Sequence, residues 1–71
     1  MAKLPRDLSG QDVERALKRL GFQFVHQRKH RILQRGATRI SVPPHRVIKT
    51  GTLAAILREA GVSVEEFESA L

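Results

Sequence analysis

Apolar residues near the start of the chain recur at helical spacing. They are Val13, Ala16, Leu17 and Leu20. Residues three and four positions apart lie on one face of a helix, so this spacing is typical of a helix with one buried side. Ser9 is a suitable N-cap with Asp12 three residues later, and Gly21 is a suitable C-terminal stop. The pattern predicts a helix from about residue 10 to residue 20.

The next segment, which ends at Val42, has a period of two. Strands are predicted at residues 22–26, 31–34 and 38–42, with turns at residues 28–29 and 35–37. Two prolines follow the third strand and end it, because proline cannot donate to a ladder. Regular alternation in the first strand would place His26 on one face with Phe22 and Phe24, where packing is its expected role.

Two helices are predicted in the last third of the chain. The first begins near Gly51 and stops at Gly61, and its apolar residues are Leu53, Ile56, Leu57 and Ala60. Ser63 and Glu66 form a second capping box, which opens a short helix. The element order predicts one α+β domain over residues 1–71, in which two helices cover one face of a three-stranded antiparallel sheet. The three phenylalanines, Phe22, Phe24 and Phe67, are expected in its core.

Positive charge is concentrated in the first fifty residues. The whole chain has a net charge of +6 and a pI of about 11.2. Residues 1–50 carry twelve Lys and Arg against three Asp and Glu, a net charge of +9. Residues 51–71 carry one Arg against four Glu, a net charge of −3. This asymmetry favours a polyanionic partner, such as nucleic acid, for the basic part.

Other features of the composition narrow the class of protein. Cysteine is absent from the sequence, so no disulfide or thiolate zinc site is expected. The start lacks the apolar segment of a secretory signal, and no apolar run is long enough to span a membrane. The expectation is a cytoplasmic protein without a membrane partner. The three histidines lack the carboxylates and helical spacing of a typical metal site, so neither a metal nor another cofactor is expected.

His30 is the first candidate for chemistry, because basic residues precede and follow it in Arg28-Lys29-His30-Arg31. An imidazole in such a setting suits proton transfer beside a bound phosphodiester. The residues alone leave open a half-exposed strand histidine next to a basic turn. His45 is the second candidate, as a phosphate ligand or a general acid, or as a loop histidine with a structural hydrogen bond.

The basic residues around these histidines are expected to contact an RNA backbone. The predicted RNA-binding residues are Arg28, Lys29, Arg31, Arg35, Arg39, His45, Arg46 and Lys49. Such contacts supply salt-dependent affinity without base specificity. The sequence has no Trp or Tyr, so stacking of bases on aromatic side chains is not expected.

Six short blocks occur in a defined order along the chain. They are Leu20-Gly21-Phe22, Val25-His26-Gln27 leading to His30, Val42-Pro43-Pro44-His45, Lys49-Thr50-Gly51-Thr52-Leu53, Ile56-Leu57-Arg58-Glu59-Ala60-Gly61 and Val64-Glu65-Glu66-Phe67. In this order and spacing the chain resembles the HicA toxins of bacterial toxin–antitoxin systems, also called YcfA-like proteins. The resemblance covers nearly the whole chain.

The resemblance implies a fold, an activity and partners. The fold would be similar to a double-stranded RNA-binding domain, with the order αβββα. The activity would be ribosome-independent cleavage of mRNA through one catalytic histidine, which corresponds to His30. The implied partners are mRNA and a HicB-type antitoxin that neutralises the toxin. The free toxin is expected to be a monomer.

The chain departs from the family pattern around His30. The family usually has Gly-Ser immediately before the histidine, whereas this chain has Arg28-Lys29 and is one residue shorter. An aromatic residue is common three positions after the histidine, where this chain has Leu33. A non-catalytic RNA-binding module of the same fold is therefore the alternative hypothesis. A third is a pure protein-interaction role, with the acidic residues 59–68 serving docking or self-association.

Overall fold

The structure, a computed structural model, describes residues 4–71 and has the predicted class of fold. Its elements in chain order are α1 Gly10–Arg19, β1 Gln23–Gln27, β2 Arg31–Arg35, β3 Thr38–Val42, α2 Thr50–Ala60 and α3 Val64–Ala70. The three strands form one antiparallel sheet in the order β1-β2-β3. The α+β prediction and its likeness to a double-stranded RNA-binding domain are confirmed.

Local sequence signals fix the ends of the helices. Both predicted capping boxes form: Ser9 and Asp12 exchange hydrogen bonds of 3.0 and 3.1 Å at the start of α1. Ser63 and Glu66 do the same at 3.0 Å at the start of α3. Gly61 follows α2 with a φ of +70°, the left-handed conformation that favours glycine. Helix α2 begins at Thr50, after an N-cap without a side-chain hydrogen bond.

The core lies between the helices and one face of the sheet. Leu33 of β2 pairs with Ile40 of β3, and both are buried on the face that the helices cover, together with Val42. Phe22, Phe67, Leu17 and Leu53 are among the largest side chains that are fully buried there. The opposite face carries Gln34 and Arg39. The domain therefore has two layers.

A β-bulge interrupts the alternation of β1. Phe24 pairs with Leu33, but the next pairing joins His26 to Ile32, so Val25 is an extra residue in the strand. Directly paired residues share a face of a sheet, and His26 therefore lies on the face away from the helices. The prediction that His26 shares a face with Phe24 is wrong, because it assumed regular alternation.

Phe24 is not a core residue, contrary to the prediction. Its side chain is 42% exposed. Strand β1 is an edge of the sheet, and the helices pack mainly over β3. The ring is instead covered by the guanidinium of Arg31, whose central carbon lies 4.1 Å from the ring centroid. This cation–π contact replaces the apolar packing that the sequence suggested.

Backbone contacts tie the segment between β3 and α2 to the start of α1. The amide of Gly10 donates to the carbonyl of His45 at 2.9 Å, and the amide of Ile48 donates to the carbonyl of Leu8. Gly10 is itself packed against the backbone of Pro43, where a Cβ would overlap the carbonyl oxygen. The first helical residue must therefore be glycine for residues 43–48 to keep this path.

Gly10→Ala is expected to lower the free energy of unfolding by about 1–3 kcal/mol, because the added Cβ forces the Pro43 backbone away from α1. Gly51→Ala is the matched control. It lies in the first turn of α2 with open space around its Cα, so alanine should raise the same free energy by about 0.5–1 kcal/mol. Urea unfolding of both variants checks the prediction. Equal stability of Gly10→Ala and the wild type would contradict it.

Candidate functional site

His30 lies in the hairpin loop that joins β1 to β2. The loop is closed by a hydrogen bond of 3.0 Å from the amide of Arg28 to the carbonyl of His30. Arg31, the next residue, pairs with Val42, so His30 comes beside Pro43 at the end of β3. The ladder thus brings the histidine loop next to the segment that follows β3.

His30 and His45 line the same surface depression. It has a volume of about 290 Å³, and its lining residues are His30, Pro43, His45, Val47, Ile48, Lys49 and Thr52. The two histidines come from segments that are distant in sequence, yet one cavity holds both with a lysine. The structure therefore brings together the two strongest candidates for chemistry.

A second depression adjoins the first at Pro43 and His45. Its volume is about 440 Å³, and it is lined by Ser9, Gly10, Gln11, Gln27, Arg31, Val42, Pro43, Pro44, His45 and Arg46. We call the two depressions together the histidine groove, with a His30 side and a Gln27 side. His45 lies where the two sides meet, so a ligand that fills both would pass over this residue.

Arg31 is held by a buried carboxylate of α1. Its guanidinium donates through Nε to Oε1 of Glu14 and through Nη2 to Oε2, the latter at 3.1 Å. The remaining arm, Nη1, donates to Oε1 of Gln27 at 3.1 Å. Lys18 also contacts Glu14, with an Nζ–Oε2 distance of 3.0 Å. Arg31, predicted to bind RNA, therefore lines the groove while it is ion-paired within the fold.

These contacts lower the pKa of Glu14 below its ordinary value of 4.5. Burial by itself would raise the pKa, since Glu14 is only 7% exposed. The hydrogen bonds and positive charges of Arg31 and Lys18 outweigh that effect. Glu14 is thus a charged, compensated group at neutral pH.

Four of the predicted RNA-binding cations have no compensating partner among residues 4–71. Arg28, Lys29, Arg46 and Lys49 are all exposed, and no ion pair or side-chain hydrogen bond within that range involves them. They lie in the His30 loop or along the segment between β3 and α2. Four cations without a partner among residues 4–71 therefore lie close in sequence to the two histidines of the groove.

Arg35 and Arg39 lie away from the groove and are engaged in the fold. Arg35 is at the far end of β2, about 13 Å along the strand from Arg31, and donates to the carbonyls of Leu20 at 2.9 Å and Ala60 at 3.4 Å. Arg39 is on the outer face and donates to Oε1 of Gln34 at 2.8 Å. The structure does not bring these two predicted RNA-binding residues together with the histidines.

The sequence did not single out several residues of the groove. Gln27 and Gln11 line the Gln27 side, Thr52 lines the His30 side, and Glu14 fixes Arg31 from behind. Glu14 carried one signal: a carboxylate next to the predicted apolar stripe of α1 needs a cationic partner. Gln27 carried none, because its direction depends on the bulge.

Neither a metal cluster nor a membrane-spanning helix is present in residues 4–71. Residues 4–71 hold no group of three or more His, Asp or Glu side chains placed to share a metal ion. None of the helices in that part of the chain is long and apolar enough to cross a membrane.

The fold and the groove define a class: a small α+β domain, similar to a double-stranded RNA-binding domain, with a basic groove around two histidines. Residues 10–62 match the family model described as the HicA toxin of bacterial toxin–antitoxin systems. The chain therefore belongs to the HicA toxin family and is the toxin of such a system, which implies a cognate antitoxin as partner. No curated protein sequence matches the chain.

Acid is expected to destabilise the protein as the pH falls below about 5. A carboxyl group whose folded pKa is lowered binds protons more readily in the unfolded chain, so its stabilising effect is lost as the pH falls. Glu14 is one such group. The capping carboxylates Asp12 and Glu66 are others, because hydrogen bonds with Ser9 and Ser63 lower their pKa.

Glu14→Gln should be less stable than the wild type at neutral pH and should lose less of its stability in this acid range. Urea unfolding at a series of pH values measures both effects. Parallel pH profiles for the two proteins would contradict the assignment of a stabilising charge to Glu14.

Proposed function

We propose that this toxin is a metal-independent endoribonuclease that cleaves mRNA through His30. The observation that carries the proposal is the shared cavity of His30, His45 and Lys49, with further cations close in sequence to the two histidines. Cleavage of RNA next to a 2′-hydroxyl needs a base, an acid and positive charge near the phosphate. The cavity contains a group suited to each of these tasks.

In the proposed reaction the neutral imidazole of His30 removes the proton from a ribose 2′-hydroxyl. The 2′-oxygen forms a bond to the adjacent phosphorus, and the bond from phosphorus to the 5′-oxygen of the next nucleotide breaks. The leaving oxygen takes a proton, which His45 donates in this scheme. The products are a 2′,3′-cyclic phosphate and a 5′-hydroxyl, and no metal enters the scheme.

The surrounding cations bind and orient the RNA in this proposal. Lys49 lines the cavity itself, and Arg28 and Lys29 belong to the His30 loop. The arginine and lysine that replace the usual Gly-Ser of the family add charge directly before the catalytic histidine. A HicB-type antitoxin would neutralise the toxin by denying RNA access to this groove.

His30→Ala should lower the rate of RNA cleavage by about 100-fold or more, because a positioned general base contributes that much. The measurement uses the purified protein and a defined mRNA with EDTA present. His26→Ala is the matched control, since His26 points away from the helices on the outer side of the bulge, and it should cleave like the wild type. His30 is exposed, so its removal should leave the unfolding transition unchanged.

Two outcomes would contradict the proposal. Equal cleavage by His30→Ala and the wild type would remove His30 from the mechanism. Binding without cleavage by both proteins would favour the non-catalytic RNA-binding module instead. Growth arrest on expression is a second readout, and it should be lost in His30→Ala and retained in His26→Ala.

The role of His45 as acid predicts a rescue. His45→Ala should slow the cleavage of ordinary RNA, because the leaving 5′-oxygen then lacks its proton donor. In an RNA with sulfur in place of that 5′-oxygen, the leaving group is a thiolate, which needs no acid. His45→Ala should therefore cleave this RNA at about the wild-type rate. His30→Ala should remain slow on both substrates. Equal loss on both substrates in His45→Ala would leave His45 a binding or structural role only.

A further inference from the structure

The Gln27 side of the histidine groove is not used by the proposed chemistry. Its volume of about 440 Å³ is within the range of about 300–1,000 Å³ that is common for ligand sites. It opens directly beside His45, which also lines the His30 side. A nucleotide next to the cleaved bond would therefore lie close enough to enter the Gln27 side of the groove.

The bulge in β1 turns Gln27 toward this cavity. With regular alternation after Phe24, residue 27 would lie on the outer face of the sheet. Because Val25 is an extra residue, Gln27 pairs with Arg31. Paired residues share a face of the sheet, and Gln27 therefore lies on the same face as Arg31. Re-aiming a side chain is a recurrent use of bulges near functional sites. Gln27 thus points to the side of the sheet where Ser9 and Gln11 of the α1 start complete the cavity.

One hydrogen bond within the fold orients the side-chain amide of Gln27. Arg31 donates to its Oε1 at 3.1 Å, and Arg31 is fixed in turn by two contacts with the buried Glu14. The amide retains both Nε2 hydrogens and one lone pair on Oε1 for a ligand. A preorganised amide loses little entropy on binding, and a donor beside an acceptor is the arrangement that reads the edge of a base.

The rest of the cavity suits a nucleotide. Pro44 is exposed beside the buried Val42 and Pro43, and Arg46 supplies a positive charge. The ring of Pro44 can cover part of the face of a base, while the charge serves the phosphate. The chain has no Trp or Tyr that could do the first task.

We propose that the Gln27 side of the groove is a nucleobase subsite and that Gln27 discriminates among the bases placed in it. The inference rests on the proposed function for its choice of RNA as ligand. Glu14 and Arg31 are positioning residues, because they act on the base only through the amide of Gln27.

The test measures binding rather than cleavage and uses the His30→Ala protein. The probes are four RNA dodecamers: oligoadenylate, oligocytidylate, oligouridylate, and oligouridylate with three central guanosines. One good pair of hydrogen bonds to a base is worth about 1–3 kcal/mol of discrimination, which is about 5- to 150-fold in Kd. The dissociation constants should therefore differ by about five-fold or more at fixed salt.

Adding Gln27→Ala should reduce this spread to about two-fold or less, with its largest effect on the RNA that binds best. Gln23→Ala is the matched control. It is the same residue type at the other end of β1, pairs with Gln34 on the outer face, and lines neither side of the groove. It should keep the full spread.

Adding Glu14→Gln should reproduce the loss of discrimination without abolishing RNA binding. A merely structural role would instead weaken all four RNAs alike.

Each other outcome overturns the inference. A spread below two-fold in His30→Ala would mean that no base is read, and a full spread after Gln27→Ala would mean that another group reads it. The result is independent of catalysis. Failure of the wild type to cleave RNA, with a Gln27-dependent spread retained, would refute the nuclease proposal and leave the subsite in place.

Discussion

The contact between Glu14 and Arg31 is the interaction on which the site depends. A carboxylate this deeply buried loses much of its hydration, and the loss is offset only by good geometry and full hydrogen bonding. Arg31 supplies two of the contacts and Lys18 a third. Since Arg31 is the first residue of β2, this pair fixes the origin of that strand against α1. His30 directly precedes Arg31 in the chain, so the ion pair also constrains the position of His30.

A second constraint acts from the other side of the groove. The close approach of Gly10 to Pro43, with the hydrogen bond from Gly10 to His45, fixes the start of residues 43–48. Both constraints end on α1, one at its first residue and one in its second turn. The two segments that carry the histidines are therefore tied to the same helix, in addition to the pairing of Arg31 with Val42 that joins them to each other. Their relative placement then depends on α1 as a common support.

The sequence predicted those parts of the fold that depend on local signals. Both capping boxes, the glycine after α2 and the alternation of β3 are encoded within a few residues and were confirmed. The bulge at Val25 and the exposure of Phe24 were not predictable in this way. The bulge depends on pairing with β2, and the exposure depends on how far the helices extend over the edge strand. Those are properties of the assembled layers, not of the pattern in β1.

The same distinction separates the predicted cations. Arg46 and Lys49 line the groove, whereas Arg28 and Lys29 belong to the loop that carries His30. Each of these four lies within four residues of a histidine in the sequence. Arg35 occupies the opposite end of its strand, where its guanidinium serves the carbonyls at the ends of α1 and α2 and packs on Phe22.

A cation whose N–H groups are engaged by backbone carbonyls has fewer of them left for a ligand than one without a partner. Counting basic residues therefore overestimates the binding surface of this small domain. What distinguishes the groove is that its cations Arg46 and Lys49 lie beside two histidines.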